Sequence, residues 1–580
     1  MGYLCPKIIW SPTFKEENQT MGIDDFESPG PGFWQLDRSH FPGGATPIAQ
    51  ELVGPAIEEV YRREWAKNGI PAETLSVRFV NGFWYSRMRP LILADRPSQT
   101  SPPFALIWLV SRLHPEFRRR EKAAKNFIEN SQEKSSEVIA HWHQEGRPAL
   151  VAKNLDFQEV NLPDLSDSDL ARHLHDLILY LRETLDEHFR LHIYDLGPIG
   201  RLLVSGSEWG IPSHQLVSLL AGASPSTTKP LRALKEIAED IEGSGISPSS
   251  LEEISSISPE ISEKLDAYLR YHGAVLYAGY DIDSPTLLES PEVILATIKA
   301  SANKEFIDSH KLESHTTKVL ENIPDDYRDQ FQDLLFQARE AMDLRDDNGP
   351  ITSEWPLGLL RLGMLEVARR LKKSGQISEM AHVFELTTQE LPEMLATTMG
   401  PTKEELSERA KLRAEQKKLN PPTTLGKEEI PPPVEALPEH LAQAVTVIQA
   451  ILTELGLSGH QIEENDREQG LGKELVGVGI GTASYSRIAR VAEDAHEALT
   501  RLQPGEVLVT RTTSPAYNMV LTLAGGLITE EGGPMCHAAV LSRELNLPAV
   551  IGVTGALKTI KDGTLVEVDP ENNRVRILDQ

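Results

Sequence analysis

The spacing of apolar residues changes along the chain and divides it into two kinds of structure. From about Ala105 to Gly400, apolar residues recur three or four positions apart, as in the run Leu170, Leu174, Leu177, Leu181 and Leu185. This spacing predicts helices that bury one face. After residue 471, short apolar runs such as 507–509 and 565–568 have the length and alternation of strands. The pattern therefore predicts a multidomain protein in which a mainly α-helical region precedes a small α/β domain.

A connecting segment is predicted between these two parts. Residues 404–418 form a charged helix pattern without much apolar face, and proline-rich stretches follow at 420–422 and 430–433. Such stretches are stiff and extended where they are not packed, which suits a domain that moves, although an ordered strap is the alternative. With a short helix at 441–455, we predict a helical domain at 1–410, a connector at 411–470 and a third domain at 471–580. The first 81 residues, rich in proline, glycine and aromatics, predict loops and short elements.

Composition narrows the class of protein. The 580 residues are enough for several domains with substantial cores, and the net charge of −28 argues against nucleic acid or an anionic membrane as partner. Two cysteines, Cys5 and Cys536, lie far apart and argue against a disulfide framework. No apolar run approaches the ~20 residues that cross a bilayer, and the N-terminus lacks a secretory pattern. We therefore expect a cytoplasmic enzyme.

The strongest candidate for chemistry is a histidine between a glycine pair and an apolar helix. Gly532 and Gly533 permit a tight turn, and a helix is predicted to begin near His537, after Cys536. The N-terminus of a helix favours an anion such as phosphate. An imidazole in that position can accept a phosphoryl group and pass it on. The alternative is a histidine that starts a helix without chemistry. Arg543 is predicted to bind phosphate or to pair with Glu544.

This motif resembles the swivelling phosphohistidine domain of the PEP-utilising enzymes, whose pattern reads GG-x-x-SHAA-x-x-ARE-x-x-x-PA-x-x-G. The resemblance runs from about Gly477 to the C-terminus, and Cys536 stands where many members have serine. It implies a small α/β swivelling domain in which His537 carries phosphate. One departure is the segment 484–491, which has bulky residues in place of the family's glycines. That departure bears on what the mobile domain docks against.

A longer and weaker resemblance covers the helical region. The segments 33–47, 208–228, 271–292 and 338–348 are similar to the substrate domains of rifampicin phosphotransferases and phenylphosphate synthases. The resemblance implies an acceptor site in this region. Asp37 and His40 are candidates for the general base that deprotonates an acceptor hydroxyl, while the alternative for His40 is a brace of the surrounding loop.

Further residues are predicted to bind phosphate or substrate in the helical region. Arg345 and Arg361 could neutralise a phosphoryl group in transit, or they could pair with Asp346, Asp347 or Glu366. Trp34 and Tyr85, together with Trp84 and Trp355, could line a pocket for an aromatic substrate, or they could be core residues. His188 and His192 are four residues apart on a predicted helix, but no third ligand is apparent, so no metal site is expected.

Together the resemblances imply a dikinase-like phosphotransferase. The opening motif at residue 33 leaves no room before it for an ATP-grasp module, and no P-loop pattern occurs. We therefore expect a separate ATP-grasp-type subunit to bind ATP and Mg²⁺ and to load His537. The expected acceptor is a small hydroxylated molecule, with a phenol as the best guess, as in phenylphosphate synthase. The alternatives are a ligase or dehydratase that phosphorylates its substrate transiently, and a phosphate carrier without acceptor chemistry of its own.

Overall fold

The computed structural model describes residues 25–96, 99–302, 316–396, 400–455, 474–513 and 517–579. Within these ranges the chain is mainly helical up to residue 455 and α/β from residue 474 onward, which confirms the coarse architecture predicted from the apolar spacing. Several predicted features lie outside the described residues. They are Cys5, the end of the predicted connector at 456–470, and Ser514 and Pro515 of the resemblance.

The helical region (residues 25–455) is built around one helix that runs through its centre, Asp167–Glu208, which is capped by the Ser166 hydroxyl. Its apolar stripe packs against several other helices of this region, among them Pro47–Asn68, Arg328–Gly349, Trp355–Ser374 and Glu439–Leu455. The remaining helices of seven or more residues that the structure describes here are Pro47–Asn68, Phe104–Leu113, Pro115–Glu129, Ser131–His141, Arg147–Gln158, Pro225–Ser244, Leu251–Ile257, Pro259–His272, Pro291–Ser301, Arg328–Gly349, Trp355–Ser374, Glu390–Ala396, Lys403–Gln416 and Glu439–Leu455. Two π-helical turns interrupt this series, at Trp142–Gly146 and Pro350–Glu354.

The N-terminal segment is more regular than predicted. The helix Pro47–Asn68 occupies a stretch for which loops and short elements were predicted. It begins in an ordinary way, because the Thr46 hydroxyl accepts a hydrogen bond from the Ala49 amide at 3.3 Å and Pro47 fits the first helical turn. A four-stranded sheet flanks this helix in the order β2-β3-β1-β4. Its strands are β1 (Trp34–Leu36), β2 (Ala72–Val80), β3 (Phe83–Pro90) and β4 (Thr424–Leu425).

The first half of the predicted connector is packed against the helical region. The predicted charged helix is confirmed at Lys403–Gln416, where only Leu406 is buried. Ion pairs hold this helix in place of an apolar stripe, and Arg413 binds both Asp283 and Glu385. Strand β4 then pairs with β1, and the helix Glu439–Leu455 lies along the central helix. The predicted domain limits at 410 and 470 stay predictions.

The C-terminal domain (residues 474–579) is built on an eight-stranded sheet in the order β5-β12-β11-β7-β8-β9-β10-β6. The neighbours β7, β8, β9 and β10 are parallel and the other pairs are antiparallel. The strands are β5 (Glu474–Val476), β6 (Val478–Ile480), β7 (Tyr485–Val491), β8 (Val507–Thr510), β9 (Gly526–Thr529), β10 (Ala549–Ile551), β11 (Leu565–Asp569) and β12 (Arg574–Asp579). Its helices are Ala495–Arg501, Asn518–Leu523, His537–Glu544 and Ala556–Thr559. The strands predicted at 507–509 and 565–568 are thus confirmed.

The C-terminal domain is docked on the helical region through a continuous apolar core. Ile294 and Ile298 of the helix Pro291–Ser301 belong to the same buried cluster as Met519 and Val520 of the C-terminal domain. Two hydrogen bonds cross the same interface. The Gly222 amide donates to the Glu544 carboxylate at 2.6 Å, and the Met535 amide donates to the Glu454 carbonyl at 3.0 Å. Because this interface buries apolar side chains of both parts, the C-terminal domain is closely packed against the helical region.

None of the helices in the described ranges combines the length and apolar character needed to cross a membrane.

Candidate active site

Docking of the C-terminal domain closes one side of a chamber of about 2580 Å³. Asp37, His40 and Arg345 contribute to its wall from the helical region, and Cys536 and His537 contribute from the C-terminal domain. Residues from the two ends of the sequence, which were singled out separately, thus meet in one cavity. We call this cavity the chamber.

The turn before His537 depends on its first glycine. Gly532 has φ +119°, a conformation that side-chain-bearing residues rarely adopt, and a Cβ atom there would lie 2.8 Å from the Cys536 sulfur. The turn closes where the Cys536 amide donates to the Gly533 carbonyl at 3.0 Å. Cys536 is the N-cap of the helix His537–Glu544, so the helix begins where the sequence predicts it.

Two polar side chains hold the imidazole of His537. Its Nδ1 lies 2.9 Å from the Thr513 hydroxyl, and its Nε2 lies 2.8 Å from the Asn518 side-chain oxygen. Burial, and then the positive charge of Arg345, lower the pKa of His537 to about 3. The ring is therefore neutral near pH 7 and has a lone pair available for nucleophilic attack. Asn518 was missed in the sequence analysis, because no motif or spacing marks it.

Arg345 reaches across the interface from the end of the helix Arg328–Gly349. Its Nη2 donates to the Met535 carbonyl at 3.0 Å, two residues before His537. Its Nη1 is buried and has no hydrogen-bond partner among the described residues, since the nearest Asp346 oxygen is 4.0 Å away. A buried guanidinium with an unused N–H beside the imidazole is suited to an oxyanion such as a phosphoryl group.

The other two arginines that were predicted to contact phosphate, Arg361 and Arg543, form hydrogen bonds with protein groups. Arg361 forms a bidentate pair with Glu289 at 2.7 and 2.8 Å, donates to the Ile282 carbonyl and does not line the chamber. The structure therefore does not bring Arg361 together with the phosphate ligands predicted around His537, because its guanidinium is already committed to an ion pair with Glu289. The predicted contact of Arg361 with phosphate stays a prediction. Arg543 donates to the Pro534 carbonyl at 2.7 Å and so braces the glycine turn. Its predicted contact with phosphate stays a prediction.

Asp37 and His40 form a hydrogen-bonded pair on the chamber wall. His40 Nδ1 lies 2.8 Å from Asp37 Oδ2, and the imidazole packs on Trp84 with ring centroids 5.3 Å apart. Burial opposes the charged form of each group, but the opposite charge and the shared hydrogen bond outweigh it. The pKa of Asp37 is therefore held well below its ordinary value, and the pKa of His40 is raised above 6.5. The His40 side chain is 42% exposed, and no described residue hydrogen-bonds its Nε2.

Replacing Asp37 with Asn is expected to lower the pKa of His40 to below 6.5. The substitution removes the charge that raises this pKa, whereas the burial that lowers it remains. The measurement is an NMR titration of the His40 ring, with Ser39→Ala as a control that removes a neighbouring hydroxyl but no charge. An unchanged midpoint in the Asp37→Asn variant would show that the pair does not set the protonation of His40.

The two predicted substrate-binding aromatics do not line the chamber. Trp34 and Tyr85 are buried in a separate cluster with Phe83, and the Tyr85 hydroxyl donates to the Pro422 carbonyl at 2.7 Å. Tyr85 lies away from the chamber because successive residues of a strand point to opposite faces. A role of Trp34 and Tyr85 in binding substrate stays a prediction. On β3 it is Trp84, next to Tyr85, that faces the chamber.

His188 and His192 also line the chamber, with ring centroids 4.7 Å apart. His192 Nδ1 lies 3.0 Å from the buried Asp195 carboxylate, and His188 Nδ1 lies 3.0 Å from the Thr352 hydroxyl. Across the described part of the chain, no group of three or more His, Cys, Asp or Glu side chains is arranged to hold a metal ion.

Sequence reasoning missed a buried carboxylic acid on the chamber wall. Glu354 ends the π-helical turn Pro350–Glu354 and is only 3% exposed. Burial raises its pKa to about 7. Tyr280 packs on His40, with ring centroids 5.2 Å apart. Burial, and then the charge of Glu354, raise the pKa of Tyr280 well above 10. No motif or periodicity in the sequence marks Glu354.

Comparison with known proteins agrees with the position of the glycine turn and its histidine. Residues 502–573 match the family model described as PEP-utilising enzyme, mobile domain. A rifampicin phosphotransferase of Streptomyces sviceus is 27% identical over 334 residues, which are 55% of this chain and 35% of that protein. Chondramide synthase of Chondromyces crocatus is 28% identical over 54% of this chain and 8% of its own length.

A probable phosphoenolpyruvate synthase of Archaeoglobus fulgidus is 38% identical over 116 residues, which are 20% of this chain and 15% of that protein. The chain therefore spans no more than 35% of the length of these three curated relatives.

Proposed function

Because residues 502–573 match the mobile domain of PEP-utilising enzymes, we propose that this chain is a phosphotransferase whose His537 carries a phosphoryl group to a hydroxylated acceptor. The observation that carries the proposal is the setting of His537. Its neutral imidazole opens into the same chamber as the His40–Asp37 pair, and the unused N–H of Arg345 lies beside it. The nucleophile, the cation and the acceptor-side groups therefore line one cavity.

His537 supplies the nucleophile in the first half-reaction. We assign the attack to Nε2. The Asn518 oxygen can only accept, so Nε2 carries the ring proton in the free state, and this proton moves to Nδ1 before the attack. Nδ1–H then donates to the Thr513 hydroxyl. With the proton held on Nδ1, the ring leaves as a neutral imidazole when the N–P bond later breaks. Asn518, which lies 2.8 Å from Nε2 in the free state, would then face the phosphoryl oxygens through its amide.

Arg345 supplies positive charge for the phosphoryl group in transit. Its Nη2 is anchored on the Met535 carbonyl, so the guanidinium is fixed relative to the turn that carries His537. Its Nη1 can donate to a phosphoryl oxygen without breaking an existing hydrogen bond. A cation that is already in position stabilises the charge on the equatorial oxygens without reorganisation during the reaction.

The aromatic side chains of the chamber wall favour an acceptor that contains an aromatic ring. Trp84 and Tyr280 pack against His40, Trp355 also lines the chamber, and aromatic walls favour aromatic ligands. A phenol, as in phenylphosphate synthase, remains our best proposal for the acceptor class. The volume of about 2580 Å³ exceeds the 300–1,000 Å³ that is typical of small-molecule sites, so a phenolic group on a larger molecule fits as well.

We assign the source of the phosphoryl group to an ATP-grasp-type protein that acts in trans. ATP and Mg²⁺ would bind to that partner, and the C-terminal domain would visit it to be loaded and then return to the chamber. This part of the proposal rests on the family resemblance alone.

Chemical loading tests the function without the partner. The full chain is treated with phosphoramidate, the phosphorylated residue is mapped by mass spectrometry under alkaline conditions, and phenol is then added. We expect acid-labile, base-stable phosphate on His537 and its transfer to phenol, detected as phenyl phosphate by ³¹P NMR. Phosphate that stays on His537 and is released only to water would contradict the proposed acceptor. Failure of His537 to accept phosphate at all would contradict the carrier role.

A further inference from the structure

Glu354 differs in its hydrogen bonding from three other carboxylates that line the chamber, Asp37, Asp346 and Asp347. Its Oε2 is buried and has no hydrogen-bond partner among the described residues, whereas the Asp37, Asp346 and Asp347 carboxylates accept bonds from neighbouring side chains. Leaving a buried polar atom unpaired destabilises a fold, and such atoms are rare unless the protein uses them. Glu354 therefore has an acceptor position that is available to a ligand.

The local backbone fixes this carboxylate against the chamber wall. The π-helical turn Pro350–Glu354 adds a residue between the helices Arg328–Gly349 and Trp355–Ser374, and such turns occur frequently at functional sites. A Cβ atom on Gly349 would lie 3.0 Å from Oε1 and 3.2 Å from Oε2, so the carboxylate rests directly on the backbone there. The carbonyl of Glu354 accepts from the Leu276 amide at 3.3 Å, which fixes the other end of the residue.

The surroundings connect Glu354 with the reacting groups. The charge of Glu354 acts on both His40 and Tyr280, and the charge of Arg345 acts on both Tyr280 and His537. The Tyr280 ring packs on the His40 ring, with ring centroids 5.2 Å apart. Arg345 donates to the Met535 carbonyl, two residues before His537, and both Arg345 and Tyr280 line the chamber. An acceptor hydroxyl that approaches a phosphoryl group on His537 would enter this region.

His40 is less suited to accept a proton than its position on the wall suggests. Burial lowers its pKa, but Asp37 and, less strongly, Glu354 raise it, so more of the ring carries a proton at neutral pH than in free histidine. A general base must be unprotonated when it acts. When two titratable groups share a site, their surroundings can shift their pKa values apart, and this difference decides which group acts as acid and which as base. Here a protonated His40 would stay paired with Asp37.

We propose that Glu354, and not His40, is the catalytic base that takes the proton of the acceptor hydroxyl; this inference rests on the proposed function. The acceptor O–H transfers its proton to Glu354 Oε2, and the oxygen attacks phosphorus. The N–P bond breaks, and its electron pair returns to Nε2 of His537, whose Nδ1 keeps its proton. The products are a phosphate ester, a neutral imidazole and a protonated Glu354, which releases its proton to solvent. His40 remains a cation that positions the hydroxyl.

The test compares Glu354→Gln with His40→Asn in the two half-reactions. The chains are loaded with phosphoramidate, and the rate of discharge to phenol is followed between about pH 5 and 9. In the wild type, the rate is expected to rise with pH through about 7, as Glu354 ionises. Glu354→Gln should leave loading of His537 intact, slow discharge by about 10²–10⁴-fold and remove the rise. His40→Asn should keep the rise.

The matched control is Glu145→Gln, because Glu145 lies in the other π-helical turn, Trp142–Gly146, is exposed and does not line the chamber. It should leave both half-reactions unchanged. A pH-dependent rise that survives in Glu354→Gln and disappears in His40→Asn would overturn the assignment. Loss of loading in all chains would instead reject the carrier role of His537.

A second measurement needs no acceptor. Infrared spectra of the unloaded chain should contain protonated-carboxyl absorption that titrates at about 7, and part of it should be lost in Glu354→Gln. Burial also raises the pKa of Glu544 and Asp281 to about 7, so these two carboxyls account for the absorption that remains. If the wild type fails to discharge to phenol, the part lost in Glu354→Gln still decides the question. A Glu354 carboxyl that stays ionised down to about pH 5 would overturn its role as a base at neutral pH.

Discussion

Replacing His537 with alanine is expected to abolish both phosphate incorporation and transfer to the acceptor. Of the histidines described on the chamber wall, His537 alone begins a helix directly after a glycine turn, and its lowered pKa keeps it neutral. Removing the atom that forms the covalent intermediate leaves no alternative route within this mechanism. The measurement is acid-labile, base-stable phosphate per chain after treatment with phosphoramidate.

The control for this experiment is His214→Ala, which removes an exposed histidine that does not line the chamber. It should incorporate phosphate as the wild type does. Label of the same stability that persists in the His537→Ala chain would identify a different carrier and reject the central proposal.

The second large effect is expected from Arg345→Met, which should slow discharge of the phosphorylated chain by about 10²–10³-fold, the usual cost of removing one donor to a developing oxyanion. The methionine retains most of the apolar volume but removes both the hydrogen bond to the Met535 carbonyl and the unused N–H. Single-turnover discharge to phenol, followed by ³¹P NMR, measures this effect.

Arg361→Met separates a phosphate contact from a structural role. Arg361 was also predicted to contact phosphate, but it is paired with Glu289 away from the chamber. Its loss should lower the thermal stability of the chain, while the folded fraction still discharges at the wild-type rate. If Arg361→Met slowed discharge as much as Arg345→Met, the phosphate site would not be where the structure indicates.

The parts of the site that could be predicted from the sequence are those made by local structure. The glycine turn, the helix that begins at His537 and the strands around it depend on residues close together in the chain, so spacing and residue type reveal them. The helix Pro47–Asn68 was missed although its signals, Thr46 and Pro47, are equally local. Proline and glycine are frequent around this helix and are typical of loops, so they mask its signals.

The remaining features depend on contacts between distant segments. Arg345 and Arg361 look alike in sequence, and only the position of Glu289 shows which of them is already paired. Trp84 and Tyr85 are adjacent, and the face of β3 that turns to the chamber depends on packing. Glu354 owes its place to a π-helical turn, which no periodicity predicts. His40 and His537 line one chamber because the C-terminal domain packs against the helical region.

The apolar core that joins the C-terminal domain to the helix Pro291–Ser301 has a consequence for any protein that loads His537. Such a protein competes with this chain's own helices for the same mobile domain. Its apparent dissociation constant equals the intrinsic constant divided by the fraction of chains that are undocked. If docking is favoured by about 100 to 1, the measured affinity is weakened about 100-fold, which corresponds to roughly 2.7 kcal/mol. Substitutions that loosen this interface should therefore tighten binding of the loading partner while leaving the partner's own surface untouched.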